Sequence, residues 1–488
     1  MANAVRFLLG FEEQTVSDAD PNMTVLSWLR TVAGRCGTKE GCAEGDCGAC
    51  TVVLGEPDDQ GGLRYRAVNA CILFLPVLHG RQLVTVEHLR ESDGRLHPAQ
   101  EAMVACHGSQ CGFCTPGFVM SLFALFHNER DADRRRIEDV IAGNLCRCTG
   151  YRPILDAAQR MLAMGGEDRF SRREEETLSR LRELDDGEML TLAGAGRRYF
   201  APRTVDALAE LRRQYPEATM LAGGTDVGLW VTKQHRDLDT LVYTGSVAGL
   251  DSIEEHADTL DIGAAVTHST AMERIAAHYP DFGELLRRFA SVQIRNSGTL
   301  GGNIANASPI GDSMPVLIAL GAELVLRRGH ERRSLPIEDF FLDYRKTALT
   351  QGEFLERIRI PVAGADRTLR CYKISKRFDQ DISAVCLAVC LRLDGDRVAA
   401  IRIGVGGMAA IPARARAVEQ ALAGRSWNDD AVEAACAVLE REFQPLTDMR
   451  AGADYRRLVT RQLLRKCLLE TTRPAVATRV LEYREVSA

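Results

Sequence analysis

The sequence lacks three features, each of which would define a class of protein. No apolar run approaches the ~18 residues of a membrane span, and the stretch 70–78 is among the longest. Positive charge is not in excess, because 61 Lys and Arg stand against 67 Asp and Glu for a net charge of -6. We therefore expect no nucleic-acid or membrane partner. The opening MANAVRFLLGFEEQ has neither a basic leader nor a cleavage site, so we expect a cytoplasmic protein without a secretory signal.

Cysteine, by contrast, is abundant and unevenly distributed. The chain has 488 residues, 45% hydrophobic and 26% charged, which predicts a folded protein of about three domains. Fifteen cysteines are present, and ten of them fall within the first 148 residues. In a cytoplasmic chain such crowding indicates metal binding or catalysis rather than a disulfide framework. The spacing of these cysteines therefore carries the functional information.

Local patterns predict a strand-rich unit at the N-terminus, followed by a helical one. Residues 5–9 alternate like a half-buried strand, and Thr24 precedes an apolar helical pattern that stops at Gly34. Later, Thr115 and Pro116 have the residue types of an N-cap and a first helical position. The sequence thus predicts a change of architecture within its first 165 residues.

Beyond these units the sequence pattern changes at a charged segment and again near Cys371. The heavily charged segment 165–188 is interpreted as an exposed connector. After Leu190, apolar runs, glycine turns and helical stretches alternate, which predicts an α+β region. Near Cys371 two apolar strand patterns begin, and helical patterns rich in Ala, Leu and Arg follow them to the end.

Four cysteines near the N-terminus have the plant-type [2Fe–2S] spacing. This first quartet reads C-x4-C-x2-C-x20-C and consists of Cys42, Cys47, Cys50 and Cys71. Its loop contains three glycines, which let the backbone wrap a cluster and bring N–H groups near the sulfides: Gly41, Gly45 and Gly48. A zinc site is the alternative, although zinc favours paired C-x2-C units, which this spacing fits poorly.

A second quartet reads C-x2-C and then C-x-C. It consists of Cys111, Cys114, Cys146 and Cys148. Each pair comes just before a predicted helix, so two helix N-termini would face one anionic site. Taken alone this spacing also fits zinc, but beside the first quartet it indicates another [2Fe–2S] centre. The remaining cysteines are interpreted as small packing side chains: Cys36, Cys106, Cys371, Cys386, Cys390, Cys436 and Cys467.

Two glycine-rich stretches dominate the middle of the chain, at 220–226 and 299–309. Neither is G-x-G-x-x-G at the start of a helix, so a Rossmann dinucleotide site is not indicated. Paired glycines beside Thr, Ser and Asn suit a phosphate cradle, and tight turns would explain them about as well. A third stretch, 404–409, does satisfy G-x-G-x-x-A, but Pro412 follows at once and fits poorly inside the helix required. We interpret it as structural.

Three segments resemble the iron–sulfur portion of the xanthine oxidase/dehydrogenase family of molybdenum hydroxylases. They are GTKEGCAEGDCGACTV, QCGFCTPGF and GNLCRCTGYRPI, and the similarity covers about residues 1–165. The region from about 197 to 370 resembles the FAD domain of the same family. The resemblance implies a multidomain α+β protein made of five parts. These are a β-grasp ferredoxin domain (1–88), a four-helix [2Fe–2S] domain (89–165), a charged connector (166–195), a two-subdomain FAD-binding domain (196–370) and a C-terminal α+β domain (371–488).

The resemblance also implies a set of flavin-binding residues, carried over position by position. The first glycine-rich stretch would cradle the pyrophosphate with Leu221, Ala222, Gly223, Gly224, Thr225 and Asp226. The second would do so with Thr299, Gly301, Gly302 and Asn303. Further flavin contacts match Phe289, Asp312, Leu355 and Lys373. Two departures are Asp226, where animal members carry Glu, and KRFDQDIS, which replaces a more basic-acidic loop beside the flavin.

One more segment, FLDYRKT at 341–347, is similar to a family segment near the nicotinamide nucleotide. The resemblance therefore implies an NAD+ contact at Tyr344, and an ordinary tyrosine in a strand-to-turn position is equally compatible with the pattern.

Together these features indicate an electron-transfer chain, since clusters carry single electrons and a flavin collects two. No segment resembles a molybdopterin-binding domain, so the resemblance implies a partner that carries the molybdenum cofactor and oxidises hypoxanthine and xanthine to urate. The chain would then be the small subunit of a two-chain xanthine dehydrogenase, in an α2β2 heterotetramer, with two [2Fe–2S] clusters, FAD and NAD+ as acceptor. Small subunits of aldehyde, nicotinate or carbon monoxide dehydrogenases are the alternatives within the family. A zinc-stabilised scaffold is the alternative from another class.

Overall fold

The computed structural model describes residues 3–362, 364 and 366–479. By its internal contacts the chain forms two units. The first contains residues 1–251, 267–269 and 290–299, and the second contains 252–266, 270–289 and 300–488. The outermost parts of the predicted first and last domains, residues 1–2 and 480–488, lie outside the described residues. The finer five-part division remains a prediction.

The first unit begins with a five-stranded mixed sheet of the β-grasp type. Its elements are β1 (Val5–Leu9), β2 (Glu12–Val16), α1 (Val25–Thr31), β3 (Thr51–Pro57), β4 (Leu63–Asn69) and β5 (Gln82–Val84). The strand order is β2-β1-β5-β3-β4, with β1 and β5 parallel and the other pairs antiparallel. The hydroxyl of Thr24 accepts the N–H of Ser27, which makes Thr24 the N-cap that the sequence predicts.

Four helices follow, as the resemblance implies. They are α2 (Pro98–Ala105), α3 (Thr115–Asn128), α4 (Arg134–Ile141) and α5 (Arg152–Met164). Helix α3 is buried on all sides from Gly117 to Phe126, because the other helices and the β-grasp sheet share one apolar core with it. A helix that is apolar all round is expected only in such a central position.

The segment interpreted as an exposed charged connector is in fact packed on the first unit. It forms α6 (Arg169–Arg172) and α7 (Glu174–Leu184). The apolar side chains of these helices are buried, namely Phe170, Leu178, Leu181 and Leu184. The expectation of an exposed connector is therefore wrong for one face of this segment, because its few apolar residues recur at helical spacing between the charges.

Asp168, at the start of the connector, is the buried anchor of this packing. Its Oδ2 accepts hydrogen bonds from Nε2 of His97 and of His127, both at 3.0 Å. Its Oδ1 accepts the N–H groups of Phe170 and Ser171. Burial raises the pKa of Asp168, but the hydrogen bonds from His127 and His97 outweigh burial and hold that pKa below its usual range. The connector is thus tied to α2 and α3 by an ionised carboxylate.

His97, His127 and Asp168 have the composition of a metal site, but their hydrogen bonds argue against one. Nδ1 of His97 accepts the N–H of Ala99 at 3.0 Å, so the ring proton of the neutral imidazole must be on Nε2. A metal bound by His would need the opposite arrangement, with Nδ1 as the donor. We therefore interpret the cluster as a hydrogen-bonded clamp.

We predict that Asp168→Asn loosens the connector. The asparagine side chain has one oxygen acceptor instead of two, so buried N–H donors that now bond to Asp168 lose their acceptor. This should lower the free energy of unfolding of the segment by about 3 kcal/mol. Amide hydrogen exchange in α6 and α7 should therefore be about a hundredfold faster. Asp186→Asn, at an exposed position of the same segment, serves as the control and should change little. Equal exchange in both variants would contradict the clamp.

The first unit also contains a four-stranded sheet with order β6-β7-β9-β8. Its elements are β6 (Leu190–Gly194), β7 (Arg197–Ala201), α8 (Val205–Gln214), β8 (Thr219–Leu221), α9 (Val227–Thr232) and β9 (Thr240–Tyr243). Strands β7 and β8 both run parallel to β9. The short helix α12 (Val292–Arg295) belongs to this unit as well.

The second unit contains a five-stranded antiparallel sheet with order β10-β11-β16-β12-β13. Its strands are β10 (Ile253–Glu255), β11 (Thr259–Gly263), β12 (Glu323–Arg328), β13 (Glu331–Pro336) and β16 (Phe354–Pro361), and β14 (Phe341–Asp343) and β15 (Lys346–Thr347) form a separate pair. The helices of this part are α10 (His268–His278), whose first two residues belong to the first unit, α11 (Pro280–Arg287), α13 (Leu300–Ala305) and α14 (Ser313–Leu320).

The C-terminal part of the second unit is a second antiparallel sheet covered by helices. It consists of β17 (Arg367–Ile374), β18 (Val385–Asp394), β19 (Arg397–Gly406), β20 (Ala413–Arg414), α15 (Arg416–Leu422), α16 (Asp429–Glu442) and α17 (Ala453–Thr472). The multidomain α+β class predicted from the sequence is confirmed. The glycines of stretch 404–409 belong to β19 and its turn, so their structural interpretation is confirmed. A Cβ on Gly404 would lie 1.9 Å from the Pro315 carbonyl oxygen. Among the helices of the described residues, none is long and apolar enough to cross a membrane.

Candidate functional site

The structure brings the four cysteines of the first quartet together. The sulfur of Cys42 contacts those of Cys47 and Cys71, and the sulfur of Cys71 also contacts that of Cys50. Three backbone N–H groups donate to Cys42 Sγ at 3.4–3.5 Å, those of Glu44, Asp46 and Cys47. The thiols of Cys47 and Cys71 and the N–H groups of Glu44 and Cys47 lower the pKa of Cys42, and the same contacts with Cys42 raise the pKa of Cys47 and of Cys71. The loop therefore favours a thiolate at Cys42, and the thiolate is the form that binds metal.

Glycine is required in this loop at two positions. Gly45 and Gly48 have φ of +81° and +70°, a region that side chains rarely adopt. A Cβ on Gly48 would also lie 2.2 Å from the Gly143 carbonyl oxygen. The predicted wrapping of the loop thus has a direct conformational basis.

The second quartet is also assembled, as two sulfur pairs. Cys111 contacts Cys148, and Cys114 contacts Cys146. Cys114 is the N-cap residue of α3, and the backbone N–H of Cys146 donates to the Tyr151 hydroxyl at the start of α5. Cys111 and Cys148 are exposed, whereas Cys50 and Cys71 of the first quartet are buried.

The spacing of the sulfurs fits two-iron clusters better than zinc. A tetrahedral zinc ion would hold four sulfurs about 3.8 Å apart, given its bond length. In the described part of the chain no three cysteine sulfurs lie within 4.8 Å of one another. The second quartet has its contacts in two separate pairs, which suits a cluster in which each iron takes two thiolates. In the first quartet Cys42 and Cys71 also contact each other.

The two quartets are adjacent through their backbones. The N–H of Leu145 donates to the carbonyl oxygen of Cys47 at 3.0 Å, and Leu145 immediately precedes Cys146. The side-chain amide of Asn144 donates to the carbonyl oxygen of Gly48, also at 3.0 Å. One hydrogen bond therefore links a ligand residue of the first quartet to the neighbour of a ligand in the second.

The first glycine-rich stretch lies on the other side of the first quartet. It forms the loop between β8 and α9. A Cβ on Gly224 or Gly228 would lie 3.1 or 2.7 Å from the carbonyl oxygen of Ile72, the residue after Cys71. A Cβ on Gly223 would lie 1.8 Å from the Ser297 carbonyl oxygen. Within the first unit, the first quartet is thus next to both the second quartet and the candidate flavin loop.

The other predicted flavin residues belong, apart from Thr299, to the second unit. Gly301, Gly302 and Asn303 lie on α13, so the glycine pair of the second stretch is helical, and turns follow only from residue 306. Its close approach explains one glycine, because a Cβ on Gly301 would lie 2.4 Å from the Ala264 carbonyl oxygen. The hydroxyl of Ser313 donates to Oδ1 of Asn303 at 2.6 Å.

Asp312 and Lys373 form a buried ion pair, with Nζ to Oδ2 at 2.5 Å. Ser383 donates to the other carboxylate oxygen. Of the remaining predicted residues, Leu355 is buried in β16, and Phe289 is half-buried. Tyr344 is 59% exposed in the turn between β14 and β15. Their roles toward a flavin or a nicotinamide nucleotide remain predictions.

Sequence reasoning missed two residues that shape the redox part. Ile72 carries the carbonyl against which the flavin loop packs, and Gln293 on α12 hydrogen-bonds to residues of both cluster regions. Neither has a signature of its own, and the only signal was that Gln293 lies in the stretch RRFASVQIRNSGTLGG.

Four protein families match the chain in succession. The family described as 2Fe-2S iron-sulfur cluster binding domain matches residues 10–75, and the [2Fe-2S] binding domain family matches 85–159. The family described as FAD binding domain in molybdopterin dehydrogenase matches 193–363. The CO dehydrogenase flavoprotein C-terminal domain matches 370–471. The chain therefore contains two [2Fe–2S]-binding domains and an FAD-binding domain.

Curated relatives match nearly the whole length of the chain. A xanthine dehydrogenase/oxidase of Gallus gallus is 31% identical over 93% of this chain and 39% of that protein. A xanthine dehydrogenase of Emericella nidulans is 34% identical over 93% of this chain and 38% of that protein. The chain thus spans about two fifths of the length of these curated relatives.

Solved structures match mainly through one part of the chain. The carbon monoxide dehydrogenase of Hydrogenophaga pseudoflava has a TM-score of 0.53 and 30% identity, and the match covers 55% of this chain and 94% of that one. Quinoline 2-oxidoreductase from Pseudomonas putida 86 has a TM-score of 0.51 and 25% identity, covering 56% and 95%.

We predict that Cys71→Ser removes about half of the bound iron, because it takes one ligand from the first quartet and leaves the second quartet intact. Iron and acid-labile sulfide, measured on anaerobically purified protein, give the result. Cys36→Ser is the matched control, since Cys36 is an exposed cysteine just before the same loop, and it should retain all the iron. Unchanged iron in Cys71→Ser would rule out this ligand set.

Gly223→Ala should weaken flavin retention without removing iron. The added Cβ forces the loop away from Ser297, and a strain of about 1–3 kcal/mol corresponds to a loss of about 5- to 150-fold in affinity. Flavin and iron contents are measured on the same sample. Gly452→Ala, where a Cβ meets open space, should keep both. Normal flavin content in Gly223→Ala would show that this loop does not hold the flavin.

Proposed function

This chain belongs to the molybdenum hydroxylase family as its iron–sulfur and flavin part, and from that premise we propose that it is the electron-transfer subunit of a cytoplasmic xanthine dehydrogenase. Electrons would come from a partner subunit that carries the molybdenum cofactor. They would pass through the second and first quartets to FAD and then to NAD+. When bound, the clusters supply single-electron carriers and the flavin supplies two-electron chemistry.

The order of the three sites carries this proposal. The Leu145–Cys47 hydrogen bond joins the two quartets, and the Ile72 carbonyl contacts the glycines of the candidate flavin loop. The exposed quartet is therefore joined to the first quartet by a hydrogen bond, and the backbone after Cys71 packs closely against Gly224 of that loop. Such an order is expected for electron transfer and has no role in a zinc scaffold.

The surface around the second quartet supports a partner at this end. Cys111 and Cys148 are exposed, and beside them Phe113 and Leu145 expose 48% and 43% of their surface. Exposed apolar side chains grouped in this way are typical of a protein interface. We propose that the molybdenum subunit docks here, in an α2β2 assembly.

The choice of xanthine as substrate rests on the fused arrangement of the chain. The xanthine dehydrogenase relatives match 93% of its length, clusters and flavin part together. The carbon monoxide dehydrogenase match covers only 55%. Carbon monoxide, aldehyde or nicotinate oxidation is the second candidate, because the flavin part alone resembles such a protein. The exposed Tyr344 turn is the proposed NAD+ contact.

The decisive experiment is purification of the native complex under anaerobic conditions. We expect a molybdenum-containing partner, about four iron atoms and one FAD per copy of this chain, and NAD+ reduction that depends on xanthine. The same preparation is tested with carbon monoxide, an aldehyde and nicotinate. NAD+ reduction with one of these but not with xanthine would move the assignment to the second candidate. A colourless protein with zinc and no iron would overturn the proposal.

A further inference from the structure

A buried polar junction lies where α12 meets both cluster regions. It is formed by four side chains that are each at most 2% exposed, Thr51, Ser121, Asn144 and Gln293. Buried polar groups cost stability unless they are hydrogen-bonded, and here the Nε2 of Gln293 has partners while its Oε1 is buried without one among the described residues. All four belong to the first unit.

Gln293 is the centre of this junction. Its Nε2 lies 3.0 Å from Asn144 Oδ1, 3.1 Å from Ser121 Oγ and 3.3 Å from Thr51 Oγ1. Thr51 directly follows Cys50 of the first quartet. Asn144 comes two residues before Cys146 of the second, and Ser121 is on α3, which begins beside Cys114. The Gln293 amide therefore lies within hydrogen-bond distance of residues that neighbour cysteines of both quartets.

The other end of α12 leads directly to the candidate flavin loop. Four residues after Gln293 comes Ser297, against whose carbonyl Gly223 packs. The helix is also held on β4, because the side-chain amide of Asn296 donates to the Ala67 carbonyl at 2.9 Å. A displacement of α12 would therefore be transmitted to the flavin loop.

Gly143 fits closely around the same amide. A Cβ at this position would lie 1.9 Å from Oε1 of Gln293. The loop that carries Asn144 and Cys146 can thus approach α12 only because residue 143 has no side chain.

We propose that Gln293 is a positioning residue that fixes both cluster loops against each other and against the flavin loop. The proposal rests on the proposed electron-transfer function. The hydrogen bonds of the Gln293 side chain among the described residues go to Thr51, Ser121 and Asn144 rather than to a quartet cysteine, so its loss should leave cofactor binding intact and change the relative placement of the cofactors. Small displacements of reacting groups can lower rates by large factors.

The test uses the full chain with its clusters and flavin. Gln293→Met keeps the length of the side chain and removes the amide, and Gln214→Met makes the same change at an exposed glutamine of α8. Three quantities are compared: the magnetic coupling between the two reduced clusters by electron paramagnetic resonance, the hydrogen exchange of peptide 141–151, and the rate at which electrons added by dithionite equilibrate with the flavin.

Gln293→Met should retain iron and flavin, weaken the magnetic coupling, accelerate exchange at 141–151, and slow equilibration about tenfold or more. The Gln214→Met control should match the unchanged chain in all three. If Gln293→Met matches it as well, the positioning role is wrong while the electron-transfer function stands. If the unchanged chain itself contains no iron and no flavin, the proposed function fails, and the positioning role fails with it.

Gly143→Ala provides an independent displacement, because it pushes the Gln293 amide away without removing it. It should reproduce the weaker coupling and the slower equilibration. Ser121→Ala removes a single partner oxygen and should give a smaller change in the same direction, which provides a measurement even if the larger changes prevent folding. Unchanged coupling in the variants that fold would overturn the proposal.

Discussion

The hydrogen bond from the N–H of Leu145 to the carbonyl oxygen of Cys47 is the contact on which the redox part depends. Two loops from different domains can form it only because their backbones approach without side chains between them. A Cβ on Gly48 would lie 2.2 Å from the Gly143 oxygen, and one on Gly117 would lie 2.2 Å from the Gly48 oxygen. Protein interiors cannot absorb such overlaps without moving backbone. The two quartets can therefore be adjacent only if these positions are glycine.

The features that could be predicted from the sequence are those that depend on residues close to one another along the chain. Thr24 as an N-cap and the two strands predicted beyond Cys371 depend on neighbouring residues, and the structure has them as predicted. The helix predicted near Thr115 is also present, but its N-cap is Cys114 and Thr115 is its first residue. The cysteine quartets were also recognisable, because short spacings restrict the chemistry that a loop can support. The FAD part became interpretable mainly through family resemblance, since glycine pairs alone are equally typical of turns.

What could not be predicted depends on partners far away in the sequence. Gln293 bonds to Thr51 across 242 residues, and no local pattern marks a glutamine as the centre of a junction. Asp168 belongs to a segment whose many charges indicated exposure. Its carboxylate is nevertheless buried, because His97 and His127 hydrogen-bond to it. In both cases a polar residue is buried because several distant donors or acceptors converge on it.

The two quartets differ in how far their cysteines are exposed to a partner protein. A partner protein that touches this surface can reach Cys111 and Cys148, which are exposed, but not Cys50 and Cys71, which are buried. Cys42 and Cys47 of the first quartet are partly exposed, so this quartet is less accessible than Cys111 and Cys148 without being closed to the surface. Because clusters carry one electron at a time, such partial burial favours transfer to the flavin, which collects two electrons. The hydrogen bonds around Gln293 are buried as well, so the loss of one of them leaves a polar group without its partner and destabilises the junction.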